Sequence, residues 1–283
     1  MDRAERVLPE APRSRLGRDR GQDKEAGLTK IALALNVADP KLAWEWFTRI
    51  DKKVDCYKLQ MDLFGRSGPD LIRRFVAGGA EVFLDLKFHD IPSVVAASVR
   101  AAGEMGATLL TVHTSGGGKM MAEAAKASAT FGVKRPLVLG VTVLTSLDEA
   151  ELERVTGCRQ PVAERVMALA RLAKESGCDG VVCSPHEIGV VKEACGREFV
   201  VVTPGIRLAQ TPSAERRTSN GGAESGPRPS EIGVRTSRDD QARTLTPAEA
   251  AKAGADYIVV GRPIYEAPDP LAAIADIRKQ MGG

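Results

Sequence analysis

From Thr29 onward, short apolar runs alternate with amphipathic stretches. Ile31–Val37, Val54–Leu59, Val82–Lys87, Thr108–His113, Leu137–Val143, Gly180–Ser184, Phe199–Thr203 and Tyr257–Gly261 read as strands. They are nearly continuous in apolar residues, as strands covered on both faces are. Between them, helical spacing marks segments near 41–50, 69–78, 92–105, 117–130, 161–176, 185–195, 247–253 and 268–280. Gly79-Ala80, Gly106-Ala107, Gly177-Cys178 and Gly254-Ala255 stand where a helix would end and a strand begin. A glycine C-cap followed by a tight turn accounts for that placement. Eight strand-then-helix repeats imply a parallel sheet, and eight strands close a barrel. The predicted fold is therefore α/β, a TIM (β/α)8 barrel in a single domain over residues 29–283. An open doubly wound sheet is the alternative, but it offers no counterpart to the paired final loops described below.

Two segments break the rhythm. Residues 1–28 are rich in Arg, Asp and Glu, show little apolar periodicity and read as a disordered N-terminal tail. The acidic residues in it argue against a transit peptide, and it has no apolar core of a secretory signal. The second is a long polar loop at about 208–244, running through Gln210-Thr211-Pro212, Asn220-Gly221-Gly222 and Ser225–Pro229. Such composition cannot bury a core, and a loop of this length in a compact domain is usually functional or disordered.

Composition narrows the classes further. Forty Lys+Arg stand against 37 Asp+Glu, so no global field points to nucleic acid or an anionic membrane. No apolar run approaches the roughly 18–20 residues needed to cross a bilayer. Cys56, Cys158, Cys178, Cys183 and Cys195 are an odd number without CxxC spacing, which argues against a disulfide framework or a zinc site. A reduced, cytoplasmic protein is expected.

The chemistry concentrates in Glu81–Pro92, where an apolar run ends in Asp85 and Lys87 and is followed by His89, Asp90, Ile91 and Pro92. Alternation along a strand points Asp85 and Lys87 to one side. Lys58 sits inside the apolar second strand, and a buried lysine requires a carboxylate. Asp85 on the neighbouring strand would supply it, making a mixed-charge array at the barrel mouth. Strand seven leads into Thr203-Pro-Gly-Ile-Arg207 and strand eight into Gly261-Arg262-Pro263. These are the two loops where barrel enzymes often hold phosphate: glycine admits the anion to backbone N–H groups and arginine supplies a bidentate fork. His89 and His113 could instead join Asp85 and Asp90 around a divalent metal, as in a metal-dependent aldolase or epimerase, though no HxH or HxxxH spacing supports this. Ser115-Gly-Gly-Gly-Lys119 lacks the ends of a P-loop and reads as a tight βα turn.

Taken together these residues resemble the orotidine 5'-phosphate decarboxylase family. The likeness runs from about Ile31 to the C-terminus. It is densest at Asp85–Pro92, Val141–Ser146, Thr203–Arg207, Asp239-Asp240-Gln241 with Thr246-Pro247, and Gly261–Pro263. The resemblance implies conversion of orotidine 5'-monophosphate to UMP, with no metal and no organic cofactor, in a homodimeric barrel. It also implies that Lys58, Asp85, Lys87 and Asp90 form a catalytic tetrad, Asp90 and Ile91 reaching into the partner's site. Thr145 would meet the pyrimidine, and Arg207, Gln241, Gly261 and Arg262 would hold the phosphate. Two departures stand out. Asn36 occupies the end of strand one, where the family usually has an aspartate that contacts the ribose hydroxyls, and the 208–244 loop is much longer than usual. A metal-dependent sugar-phosphate decarboxylase or aldolase on the same barrel is one alternative activity. A nucleotide-binding homologue without turnover is another, suggested by Asn36 and the long loop.

Overall fold

Eight parallel strands close into a barrel in the order of the chain: β1 (Lys30–Ala34), β2 (Cys56–Gln60), β3 (Val82–Phe88), β4 (Leu109–His113), β5 (Leu137–Val141), β6 (Gly180–Val182), β7 (Val200–Thr203) and β8 (Tyr257–Val260). β8 closes on β1 with Ile31 opposite Ile258. The structure is a computed structural model and describes residues 28–157, 159–208 and 244–283. The tail reading, Cys158, Gln241 and nearly all of the 208–244 loop lie outside the described residues.

Ten helices among the described residues run over the strands: α1 (Pro40–Ile50), α2 (Met61–Ala77), α3 (Pro92–Glu104), α4 (Gly118–Ala129), α5 (Glu149–Thr156), α6 (Val162–Glu175), α7 (Ile188–Cys195), α8 (Pro247–Ala253), α9 (Arg262–Tyr265) and α10 (Pro270–Gln280). None is long and apolar enough to cross a membrane. Three differ from the sequence reading. α2 begins eight residues before the predicted start at 69, because a first helical stretch precedes the left-handed Gly68 and Pro69 restarts the helix beyond it. α5 was not predicted, although Asp148 caps it by accepting the Glu151 N–H and Gly157 ends it in the left-handed region. α9 is a single turn after β8.

Two apolar layers follow from strand alternation. Residues facing outward, such as Ile31, Leu33, Leu84 and Leu110, pack under the helices. Their inward neighbours, among them Ala32, Cys56, Phe83, Leu109, Leu139, Val202 and Tyr257, fill the barrel. Bulky Phe83 and Tyr257 share that interior with small Ala32 and Cys56, so the centre is packed rather than hollow.

The base of the barrel repeats one device four times. Asp55, Thr108, Asp179 and Asp256 each precede an even-numbered strand. Their N–H groups donate to the carbonyls of Ile31, Val82, Val138 and Val201, at 3.0, 2.8, 2.9 and 2.9 Å. Their side-chain oxygens accept the N–H of those same residues, at 2.7, 3.3, 2.9 and 2.7 Å. Each ring satisfies backbone groups that the ladder leaves open where the odd strand starts. The three carboxylates are further paired, Asp55 with Arg278, Asp179 with Arg135 and Asp256 with Lys192.

Asp179→Ala is expected to destabilise the barrel by about 3 kcal/mol, since it strands the nearly buried Arg135 and leaves the Val138 N–H without its acceptor. Urea unfolding measures this, and a loss below about 1 kcal/mol would show that the ring contributes little.

Candidate active site

The inward face that carries the apolar fill at the base carries polar groups at the mouth. On β2 the inward positions climb from Cys56 to Lys58 to Gln60, on β3 from Phe83 to Asp85, and on β4 from Leu109 to Thr111. Asn36 lies just past β1, whose regular pairing stops three residues before the predicted end: the Leu35 N–H still reaches Lys58, but the Asn36 N–H turns back to the Ala34 carbonyl. β5, β6 and β8 also end short of their predicted limits, so the residues beyond them form the rim.

Asp85 is the centre of this array. One oxygen accepts from Lys58 Nζ at 3.0 Å, and the other from Lys87 Nζ at 2.9 Å and Thr111 Oγ1 at 3.0 Å. Burial alone would raise its pKa. The ammonium groups of Lys58 and Lys87, with the hydrogen bonds they donate, outweigh that and hold the carboxyl well below the usual range. These partners favour the ionised carboxylate, and its charge fixes both lysines.

A regular strand through Lys87 was expected, and the backbone corrects it. Lys87 has φ of +52°, and the pairing with β4 shifts register between Leu84 and Phe88. A left-handed lysine is strained by roughly 1–3 kcal/mol. Two contacts hold it there: its N–H donates to Thr111 Oγ1 at 2.9 Å, and its ammonium is tied to Asp85. Thr111 therefore connects the backbone and the charge of this corner. Sequence reasoning missed it, and missed Gln60 as well, although both lie on the inward period-2 positions of their strands. Gln60 accepts from Lys58 Nζ at 3.0 Å and donates to Asn36 Oδ1 at 2.8 Å.

Above the array opens a cavity of about 320 Å³, the size of a small-molecule site. Asn36, Lys58, Asp85, Lys87, Thr145, Gly261 and Arg262 all line it. Arg207 instead lines an adjoining hollow of about 270 Å³ that shares Gly205, Ile206, Arg262 and Pro263 with the first. The two ends of the long polar segment are joined at this hollow. The Arg207 N–H donates to the Leu245 carbonyl and the Leu245 N–H to that of Gly205, so Ile206 and Leu245 form a parallel bridge. Gly205 adopts φ of +81° there, a conformation that suits glycine.

Not every predicted residue joins the array. Asp90 is exposed and its carboxylate accepts the Ile91 N–H at 2.6 Å, while Ile91 is 63% exposed. The chain by itself brings together Lys58, Asp85 and Lys87, without Asp90. The histidine alternative is not assembled either: the rings of His89 and His113 lie 5.4 Å apart, and the described residues hold no group of three or more His, Cys, Asp or Glu suited to a metal. Cys56, Cys178, Cys183 and Cys195 are buried free thiols, and burial pushes Cys178 up to about 12.

A lysine–aspartate–lysine array at the C-terminal ends of barrel strands, with arginine- and glycine-bearing loops after β7 and β8, is the layout of a barrel enzyme acting on an anionic substrate. The model of the orotidine 5'-phosphate decarboxylase / HUMPS family matches residues 29–226 and 226–277. The chain belongs to that family. It is 42% identical over 252 residues to an orotidine 5'-phosphate decarboxylase of Pseudoalteromonas translucida, covering 89% of this chain and 97% of the relative. Against the enzyme of that name from Syntrophotalea carbinolica the identity is 43% over 258 residues, covering 89% and 94%. The crystal structure of orotidine 5'-phosphate decarboxylase from Lactobacillus acidophilus superposes with a TM-score of 0.71 at 34% identity, covering 90% of this chain and all of that one.

His113 reports on the charge of this corner. Burial, reinforced by His89 and Lys87 and opposed by Asp85, lowers its pKa. The fold thus favours its neutral form, and the contribution to stability is complete above the unfolded value of about 6.5 and is lost as pH falls through the folded value. A proton-resonance titration is expected to show His113 charging below about 6.5, with His89→Gln moving it upward; a midpoint above that value would refute this electrostatic picture.

Proposed function

We propose that this chain converts orotidine 5'-monophosphate to UMP and CO₂ in pyrimidine biosynthesis, as a carboxy-lyase that uses no metal and no organic cofactor. The observation that carries this reading is the Lys87 ammonium held 2.9 Å from a buried carboxylate at the cavity wall. When the C6–carboxylate bond of the pyrimidine breaks, CO₂ leaves and the electron pair stays on C6. No nearby carbonyl is placed as a simple electron sink, so the developing charge needs a cation beside it. Lys87 is that cation, and it then transfers one proton from Nζ to C6, giving UMP. Asp85 faces the substrate carboxylate, a like-charge contact relieved as CO₂ departs. Lys58 keeps Asp85 balanced on its other side.

The whole acceleration does not come from one lysine. Enzymes reach up to roughly 10¹⁷-fold, about 23 kcal/mol of barrier, whereas a positioned general acid contributes about 10²–10⁴. Binding energy from the remote phosphate supplies more, provided that it is realised in the transition state. In this reading Arg207, Gln241, Gly261 and Arg262 hold the phosphate, Thr145 meets the pyrimidine, and Asn36 meets the ribose.

The active form in this proposal is a cytoplasmic homodimer. Within one chain the array holds two ammonium groups against a single carboxylate. Asp90 of a second copy would bring the balance to two against two, with Ile91 entering the partner's cavity beside it. Exposure of Asp90, Ile91 and Val94 on one chain supports that arrangement.

The first test is loss of orotidylate absorbance. Turnover is expected to persist in excess chelator and to fall at least about 10⁴-fold in Lys87→Ala. Restoration by magnesium after chelation would favour the metal-dependent alternative, and tight UMP binding without turnover the non-catalytic one. The second test mixes two inactive variants, Lys87→Ala and Asp90→Ala. Random reassortment leaves one intact site in each mixed dimer and is expected to recover about a quarter of parental activity. No recovery would place Asp90 in its own chain's site, and full activity of Asp90→Ala by itself would place Asp90 outside catalysis.

A further inference from the structure

Gln60 links Lys58 to Asn36 at the mouth, and the donor–acceptor chemistry of these two neighbours leaves it no choice of orientation. An ammonium only donates, so the amide face of Gln60 that meets Lys58 Nζ at 3.0 Å must be its oxygen. Nε2 is then turned the other way, where it donates to Asn36 at 2.8 Å. Asn36 must meet it with Oδ1, which leaves Nδ2 on the opposite side. That atom faces the backbone of Gly261: a Cβ added to Gly261 would lie 3.5 Å from it. Asn36 and Gly261 both line the cavity. Reversing either amide would set donor against donor along this line.

We infer that Gln60 is a positioning residue that fixes the Asn36 carboxamide as a hydrogen-bond donor toward the bound nucleotide. An aspartate at 36 would offer lone pairs on every side and need no such orientation. With asparagine the side chain has two faces of opposite sense, and the fixed charge of Lys58, passed through one amide, selects the donor face. The group accepted at this point of the site is an oxygen presenting lone pairs, on the ribose or on the phosphate ester. The inference rests on the nucleotide reading given above, but its test does not require turnover.

The test is a double-substitution cycle on the full chain, Gln60→Met with Asn36→Asp, read by KM for orotidylate and by calorimetric Kd for UMP. Loss of one oriented hydrogen bond is expected to raise KM and Kd about five- to tenfold in the Asn36 protein, with a smaller change in kcat. In the Asn36→Asp background the same change is expected to shift them by less than about twofold, because a carboxylate has no wrong face. Equal factors in the two backgrounds would reduce Gln60 to packing and overturn the inference. If Gln60→Met does not fold, amide proton spectra of the asparagine-labelled parent decide: the Asn36 side-chain protons are expected to shift on UMP addition, and unmoved protons overturn it. Turnover with an additive cycle sinks this inference alone. UMP binding with the predicted coupling but no turnover sinks the decarboxylase reading alone, and absence of UMP binding sinks both.

Discussion

A carboxylate at Asp85, close to full burial at the end of an apolar strand, is the constraint around which the mouth of this barrel is arranged. In a low-dielectric setting an unpaired charge there would protonate or disrupt the fold. Two ammonium groups and one hydroxyl remove that outcome, and each is bound in turn. Lys58 holds Gln60, Thr111 receives the N–H of the left-handed Lys87, and Gln60 reaches Asn36. Strands β1 to β4 are therefore joined at their C-terminal ends by side chains, in addition to their ladders. Removing one member shifts the others, since interactions that share a buried charge are not additive.

The opposite end of the barrel solves a different problem with similar parts. Where odd strands begin, backbone N–H groups are left open by the ladder, and each is met by a side chain from the start of the next strand. Three of these are carboxylates paired with basic residues, and the fourth is Thr108. The base thus carries stability while the mouth carries charge held for chemistry, the division expected of this architecture.

Much of this was readable in the chain. The eight strands and the parallel closure followed from apolar runs broken at regular glycine turns. Lys58, Asp85 and Lys87 were conspicuous because a charge inside an apolar run demands a partner. Uncharged polar residues make no such demand, so Thr111 and Gln60 passed as ordinary strand ends. The left-handed turn at Lys87 was hidden for another reason: nothing in Leu-Lys-Phe departs from a regular strand, and only pairing with β4 forces the shift. Helix α5 was overlooked because it is short and mostly polar, although its Asp148 cap and Gly157 stop are local signals. Asp90 shows the limit of a single chain, since its expected neighbours would belong to another molecule.

The bridge between Ile206 and Leu245 has a consequence for how this protein can vary. Because the two strands of backbone are pinned together at the rim, the chain leaves and re-enters the barrel through one narrow neck, and β7 and β8 register against each other below it. Loop-closure entropy grows only slowly with length once such a neck exists. Insertions and deletions above it are then nearly invisible to the barrel. The neck is a port: a site where lineages can exchange one segment for another, or where a designer can graft a reporter, while the eight-stranded frame beneath keeps its register.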